Sequence, residues 1–388
     1  MTTLLTGARL FTGTRILDDH ALLLDRARIL DLVPADAPRP DATTVKLPPG
    51  SLLVPGFIDA QVNGAGGVLF NDRPTAEAVR QIAAAVRRLG TTGILPTFIT
   101  DDRDKMRQAC QAAVAAVAQP GSGVLGLHLE GPFISPQRKG IHAARFIRTP
   151  DETDIAELSR LCPQLTANHG RLLLTLAPEQ IEDATIARLA AAGIILAAGH
   201  TAASAARVRA ALTHGIRGFT HLSNAMPPIV NRDPGPVIAA LDDGDSWCGI
   251  IVDGHHVDPT LLRVMIAAKR PGKLFLVTDA MSPVGTDAER FVLLGQTVLR
   301  RDGRLVSEDG VLAGADIDMA QAVRNCVSLL GLPVTEALRM ASLYPAEFLG
   351  LDHRLGRLAP GFQADLTLLD GDLSVLATWV GGDGQWLG

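Results

Sequence analysis

The sequence predicts a (β/α)8 TIM barrel carrying a small β-sandwich domain built from the two chain ends. Three observations lead there: eight short apolar runs between residues 54 and 280, Ala-rich amphipathic stretches between those runs, and short alternating segments with turn signals outside that span. The chain has 388 residues, of which 47% are hydrophobic, with 38 Gly and 24 Pro. Its mean hydropathy is +0.21. This composition supplies a large core served by many tight loops and excludes a disordered chain.

Taken in order, residues 1–53 alternate in short segments, and residues 352–388 do the same around turn signals such as Pro-Gly at 360–361 and Asp-Gly at 370–371. The two ends are expected to pair into one β domain, leaving 54–351 for a catalytic barrel. The candidate barrel strands are 54–62, 93–97, 124–130, 172–176, 194–199, 218–221, 248–252 and 274–279. Eight parallel βα units make a TIM barrel, whose reactive residues stand at the C-terminal strand ends. Helices are expected at 75–89, 105–118, 181–191 and 202–213, the last stopped by Gly215. Two further helical patterns, 317–330 and 335–349, complete the outer layer. Another Asp-Gly turn signal stands at 302–303.

The formal charge of −5 and pI near 6.1 leave no basic field for a nucleic-acid backbone. No apolar run reaches the roughly 18 residues that cross a bilayer, and the segment Met1 to Gly7 lacks a charged leader followed by an apolar core. A cytoplasmic protein without membrane or nucleic-acid partners is therefore expected. Cys110, Cys162, Cys248 and Cys326 are scattered without a C-x-x-C pair, so they read as reduced core residues. Any metal must then be held by histidines and carboxylates.

The chemistry-bearing signal is a set of polar residues closing apolar strands. Glu130 ends Val-Leu-Gly-Leu-His-Leu-Glu, His200 follows Ile-Ile-Leu-Ala-Ala-Gly, His221 follows Gly-Phe-Thr, and Asp279 follows Leu-Phe-Leu-Val-Thr. In a barrel these ends converge on one mouth. One carboxylate and two imidazoles leave an open position on a divalent metal, as catalytic sites do. Asp279 suits a general base and acid, although a further metal ligand or a strand-end cap would use the same residue. His128, inside its strand, reads as a packed residue beneath the site.

Several stretches carry a resemblance: Val54-Pro55-Gly56-Phe57-Ile58-Asp59, His128-Leu129-Glu130-Gly131-Pro132-Phe133, Lys139-Gly140-Ile141-His142, Ala198-Gly199-His200-Thr201, Thr220-His221-Leu222-Ser223-Asn224-Ala225-Met226, Asp253-Gly254-His255-His256-Val257 and Thr278-Asp279-Ala280. In this order, over nearly the whole chain, they resemble the N-acetylglucosamine-6-phosphate deacetylases of the amidohydrolase superfamily. The resemblance implies metal-dependent hydrolysis of the acetamide of N-acetylglucosamine 6-phosphate to glucosamine 6-phosphate and acetate, in amino-sugar catabolism. It assigns Glu130, His200 and His221 to the metal, Asp279 to proton transfer, and His142, Asn224, Ala225, Arg232 and His256 to the sugar phosphate. It also implies a homodimer.

Physical chemistry fits these assignments. Arg232 lies in a Pro- and Gly-rich loop at 227–236, where a guanidinium can fork onto phosphate, and Asn224 with the Ala225 N–H can donate to the same anion. Arg138 and Lys139 read as a solvated loop outside the site. Gln61 and Asn63 occupy the positions of the H-x-H pair common in the superfamily, which argues for one metal ion per subunit. Glutamate with two histidines accepts Zn²⁺, Fe²⁺, Co²⁺ or Mn²⁺, and zinc is the default expectation. His255 and Ala315 depart from the family's usual residues. The competing readings are deacetylation of N-acetylgalactosamine 6-phosphate, action on an N-acyl amino acid, and a catalytically silent amino-sugar-phosphate binder.

Overall fold

Eight parallel strands lie side by side in sequence order in the computed structural model, which describes residues 2–39 and 41–387. They are β1 (Phe57–Val62), β2 (Thr91–Ile99), β3 (Gly126–Glu130), β4 (Arg171–Leu176), β5 (Ile195–Ala198), β6 (Ile216–Phe219), β7 (Trp247–Ile250) and β8 (Leu274–Leu276). Just past the strand ends Asp279 N–H donates to Gln61 O at 2.9 Å and Asn63 N–H donates to Ala280 O at 2.9 Å, which joins the last strand to the first. Every residue of β1, β2 and β3 is buried, because a parallel barrel is covered on both faces. That is why these strands read as continuous apolar runs rather than as alternation.

Each connection contributes a helix whose apolar stripe packs on the barrel. The first, α1 (Ala76–Arg87), buries Ala78, Val79, Ile82, Ala83 and Val86, the 3.6-residue spacing of one face, and Thr75 caps it by accepting from Ala78 N–H. The second, α2 (Arg103–Val117), is capped in the same way by Asp102.

Three expectations need correction. The predicted strand 54–62 is two strands, Leu52–Pro55 and β1, parted at Gly56. A Cβ at Gly56 would stand 2.0 Å from Thr92 Oγ1, and the Gly56 N–H turns away to donate to Asp365 O at 2.8 Å. The predicted helix 335–349 is broken at Ser342 into Val334–Ala341 and Leu343–Leu349. Pro345 offers no N–H and its ring crowds the preceding turn, so a single helix cannot continue. Finally, the Asp-Gly turn at 302–303 belongs to an unforeseen four-stranded antiparallel excursion, Arg290–Leu293, Gln296–Arg301, Arg304–Ser307 and Leu312–Ala315. It sits between β8 and the next helix, and its Leu293, Val298, Leu305 and Ala313 pack on Leu69, Ile99 and Met281.

The chain ends form two sheets, one of four strands and one of six. In the larger sheet Leu52–Pro55 pairs antiparallel with Leu366–Leu369 and parallel with Arg9–Phe11, so both ends of the chain share it. Leu5, Leu22, Leu24 and Leu53 meet Leu366, Leu368 and Trp379 in one core. Each such fully buried leucine contributes about 1.5–3 kcal/mol. Among the described residues no helix is long and apolar enough to cross a membrane.

Candidate active site

The barrel mouth is built by turns that leave the strands in an unusual conformation. Glu130 is the last residue of β3, while His200, His221 and Asp279 follow β5, β6 and β8 by two or three residues. These three take left-handed backbone, with φ of 48°, 29° and 54°. Few non-glycine residues adopt that region, His and Asp are among those that tolerate it best, and such strain gathers where a side chain must be aimed.

The aim is shared. Glu130 Oε1 lies 3.1 Å from His200 Nε2 and 2.8 Å from His221 Nε2, and the two Nε2 atoms are 3.1 Å apart. His200 Nδ1–H donates to the Arg138 carbonyl at 2.8 Å, so its Nε2 presents a lone pair to a carboxylate oxygen. Three such atoms within 3.1 Å of one another need a shared proton or a cation among them, and two imidazoles with one carboxylate fit a divalent ion of borderline softness. A looser set overlaps this one, since ligand atoms of Glu130, His142 and His200 all fall within 4.8 Å of one another. The tighter triad is the better cradle. His142 Nδ1 is already engaged with Thr100 Oγ1 at 2.8 Å, which turns the rest of its ring to the cavity.

The electrostatics follow from burial and neighbours. Burial alone would push the Glu130 carboxyl up, but the two imidazoles overcome it and hold the group well below the usual carboxylate range. Asp279 is pushed up to about 6 by burial and then by the Glu130 charge. Its Oδ1 accepts from Asn63 Nδ2 at 2.6 Å and from Gln61 Nε2 at 3.1 Å. Burial and then the neighbouring His200 hold His142 well below the ordinary histidine range, so its ring is neutral. Against its own burial, Asp253 is brought down to about 2, chiefly by the hydrogen bond from His256 Nδ1 at 2.6 Å.

A cavity of about 500 Å³ opens above these groups, and Glu130, His142, His200, His221, Asn224, Ala225, His256 and Asp279 all line it. Of the residues expected at the site, the structure brings these eight together. Left-handed φ recurs at His221, Ser223 and Ala225, at 29°, 79° and 49°. Leu222 N–H and Asn224 N–H are spent on Gly249 O and His221 O, at 2.8 and 2.9 Å, so what the turn brings to the cavity is Asn224 and Ala225 themselves.

Arg232 does not line the cavity. It is exposed in a turn where Asp233 N–H donates to Val230 O at 3.3 Å, and it makes no ion pair with another described residue. Arg138, read in sequence as solvated, instead lines the cavity wall with its Nε buried and unpartnered. Gly310, Val311, Leu312 and Gly314 of the excursion also line it, which sequence periodicity gave no means of finding. The two departing positions have clear settings: His255 stands against the 302–303 turn, where a Cβ on Gly303 would come 3.3 Å from its Nε2, and Ala315 N–H donates to Asp279 O at 2.9 Å.

Comparison with known proteins adds independent findings. Residues 52–385 match the Amidohydrolase family. The chain is 42% identical over 331 residues to an N-acetylgalactosamine-6-phosphate deacetylase of Shewanella sp. (strain ANA-3), covering 85% of this chain and 82% of that protein. It is 34% identical over 342 residues to an N-acetylglucosamine-6-phosphate deacetylase of Haemophilus influenzae, covering 87% of each. A crystal structure of N-acetylglucosamine-6-phosphate deacetylase from Pasteurella multocida superposes with a TM-score of 0.95 at 35% identity, covering 100% of both chains.

Proposed function

Because this chain belongs to the amidohydrolase family, we propose that it hydrolyses the acetamide of N-acetylglucosamine 6-phosphate to glucosamine 6-phosphate and acetate. The observation that carries the reading is the convergence of Glu130, His200 and His221 within 3.1 Å of one another, with Asp279 on the wall of the same cavity. The Haemophilus and Pasteurella proteins bear the name of this activity at 34% and 35% identity.

Glu130, His200 and His221 would hold a divalent cation, which would supply Lewis acidity to the acetamide carbonyl and to the attacking water. Asp279 takes a proton from the attacking water as the C–O bond forms. The same carboxyl then delivers that proton to the leaving nitrogen as the C–N bond breaks, so one group serves as base and acid. Burial, which raises this carboxyl above its ordinary range, favours its holding the proton between the two steps. His142 and His256 orient the sugar, and the turn at Asn224 and Ala225 receives the phosphate. Zinc is the metal the proposal names, with Fe²⁺, Co²⁺ and Mn²⁺ as substitutes.

Arg232 contributes to phosphate binding in this reading through a homodimer. Its support is the exposed loop that carries it, where Ile229 and Val230 are 46% and 52% exposed and offer apolar surface for a second copy. A cytoplasmic location, expected from the sequence, completes the proposal.

The second reading, hydrolysis of the galacto epimer, is favoured by one observation, the 42% identity to the Shewanella enzyme. Acetate release from both epimers and from unphosphorylated N-acetylglucosamine, measured with metal content on the same sample, decides between them. A metal-loaded protein that releases acetate from neither phosphate would overturn both.

A further inference from the structure

We propose that Gln61 and Asn63 are positioning residues that dictate which oxygen of Asp279 moves the proton, an inference that rests on the deacetylase reading above. Asp59, Gln61 and Asn63 recur at every second position from β1 onward, the spacing that keeps side chains on one face of a strand, and Gln61 and Asn63 are 1% and 3% exposed. The resemblance explained these two amides only as replacements for metal ligands. The geometry gives them work of their own.

Gln61 Nε2 lies 3.1 Å from Asp279 Oδ1 and 3.1 Å from Glu130 Oε1, and Asn63 Nδ2 lies 2.6 Å from the same Asp279 Oδ1. Neither amide can be turned over, because a carbonyl oxygen would then face a carboxylate oxygen in a buried setting. The Gln61 NH₂ has two hydrogens and two carboxylates to serve, so it links groups that would otherwise repel. Oδ1 of Asp279 thus accepts two amide donors, while Oδ2 receives no hydrogen bond from any described residue. With Oδ1 committed, Oδ2 is the oxygen left for proton transfer.

The main chain reinforces the arrangement. Asp279 N–H donates to Gln61 O at 2.9 Å, so Gln61 holds Asp279 through both backbone and side chain. Asn63 Oδ1, by contrast, is buried without a partner. The Asn63 nitrogen, bonded to Asp279 Oδ1, is therefore the atom through which this side chain acts on the carboxylate. Two donors on one oxygen also restrain rotation of the carboxylate, keeping the proton-carrying oxygen in register with the attacking water and then with the leaving nitrogen.

The test compares Gln61→Met and Asn63→Leu, each alone and combined with Asp279→Asn, on metal-reconstituted protein. Each single variant is expected to keep one equivalent of metal and a melting temperature near that of the wild type, with KM within about threefold and kcat lowered by about 10- to 100-fold. Added to Asp279→Asn, the same substitutions should lower the residual rate no further, because both amides act through that one carboxylate. Should Gln61→Met lose metal through its contact with Glu130, Asn63→Leu, whose hydrogen bond is to Asp279 alone, carries the test. A single-variant kcat within twofold of the wild type overturns the proposal, and so does an equal fold loss in the Asp279→Asn background. Wild-type protein that releases no acetate would instead overturn the deacetylase reading itself.

Discussion

His200 Nδ1–H donates to the main-chain carbonyl of Arg138 across 2.8 Å, fixing the ring so that Nε2 faces Glu130 Oε1 and His221 Nε2. Without a metal ion a proton shared between imidazole and carboxylate holds that arrangement; with one it becomes a cradle. Protein prepared without chelator should therefore hold one divalent ion per chain, and chelation should abolish activity and lower the melting temperature. A ligand at a thousand times its Kd stabilises by about 4 kcal/mol, enough for a clear calorimetric shift. Zinc should restore both properties. A chelated protein with undiminished turnover would remove the metal from the mechanism.

Asp253 holds the His256 ring on the cavity wall. Its Oδ1 accepts from the N–H groups of His255 and His256 while its Oδ2 takes the His256 ring at 2.6 Å, so backbone and imidazole are held by one carboxylate. In Asp253→Asn the neutral amide can no longer hold an Nδ1–H with a full negative charge, and the ring loses its fixed orientation. KM should rise by about tenfold, the scale of one weakened hydrogen bond to a substrate group, while kcat changes by less than about threefold. Steady-state kinetics check the split; a fall in kcat alone would place His256 in the chemistry instead.

Two arginines are candidates for the phosphate contact that the proposed function requires. Arg232 is expected there from the sequence but is exposed, whereas Arg138 stands on the cavity wall with Nε unpartnered. Under the proposed function Arg232→Met should raise KM for the phosphorylated sugar by about tenfold or more and leave the unphosphorylated sugar untouched, since a lost charged hydrogen bond costs about 1.5–3 kcal/mol. Arg138→Met, measured beside it, tells whether the contact comes from the wall of the same chain. An effect confined to Arg138→Met would transfer the phosphate role from 232 to 138.

The strand-end residues were legible because a buried polar side chain closing an apolar run has few structural excuses, and four of them share one mouth. The break at Gly56 was not, because Leu52–Pro55 and β1 are both fully buried and read as one apolar run although they belong to different sheets. The excursion at 290–315 hid for the opposite reason. Strands such as Arg290–Leu293 and Gln296–Arg301 are short and half-exposed, so they bear neither a clean alternation nor an apolar core. The placements of Arg138 and Arg232 depend on where two loops fold, which composition and spacing do not encode.

Asp365 offers a test of buried charge far from the chemistry. It precedes Leu366–Leu369, is 6% exposed, and accepts from Gly381 N–H at 2.6 Å and from Gln363 Nε2 at 3.0 Å through each oxygen. Burial pushes its carboxyl up to about 6 from an ordinary value of 3.8. Because the folded value is the higher one, the folded state holds a proton that the unfolded chain has already lost between those two pH values. The stability this gives is fully present below about 3.8, declines as pH rises, and is gone above about 6. Asparagine at this position keeps an acceptor for Gly381 and does not titrate. Relative to the wild type, Asp365→Asn should therefore gain stability between pH 4 and pH 7.5 by at most about 3 kcal/mol, the free energy separating the two pKa values. Denaturant unfolding of both proteins at the two pH values measures the difference, in which other titrating groups cancel. A difference that does not change with pH would mean that the Asp365 carboxyl is ionised across the whole range and that its hydrogen bonds, rather than burial, set its charge.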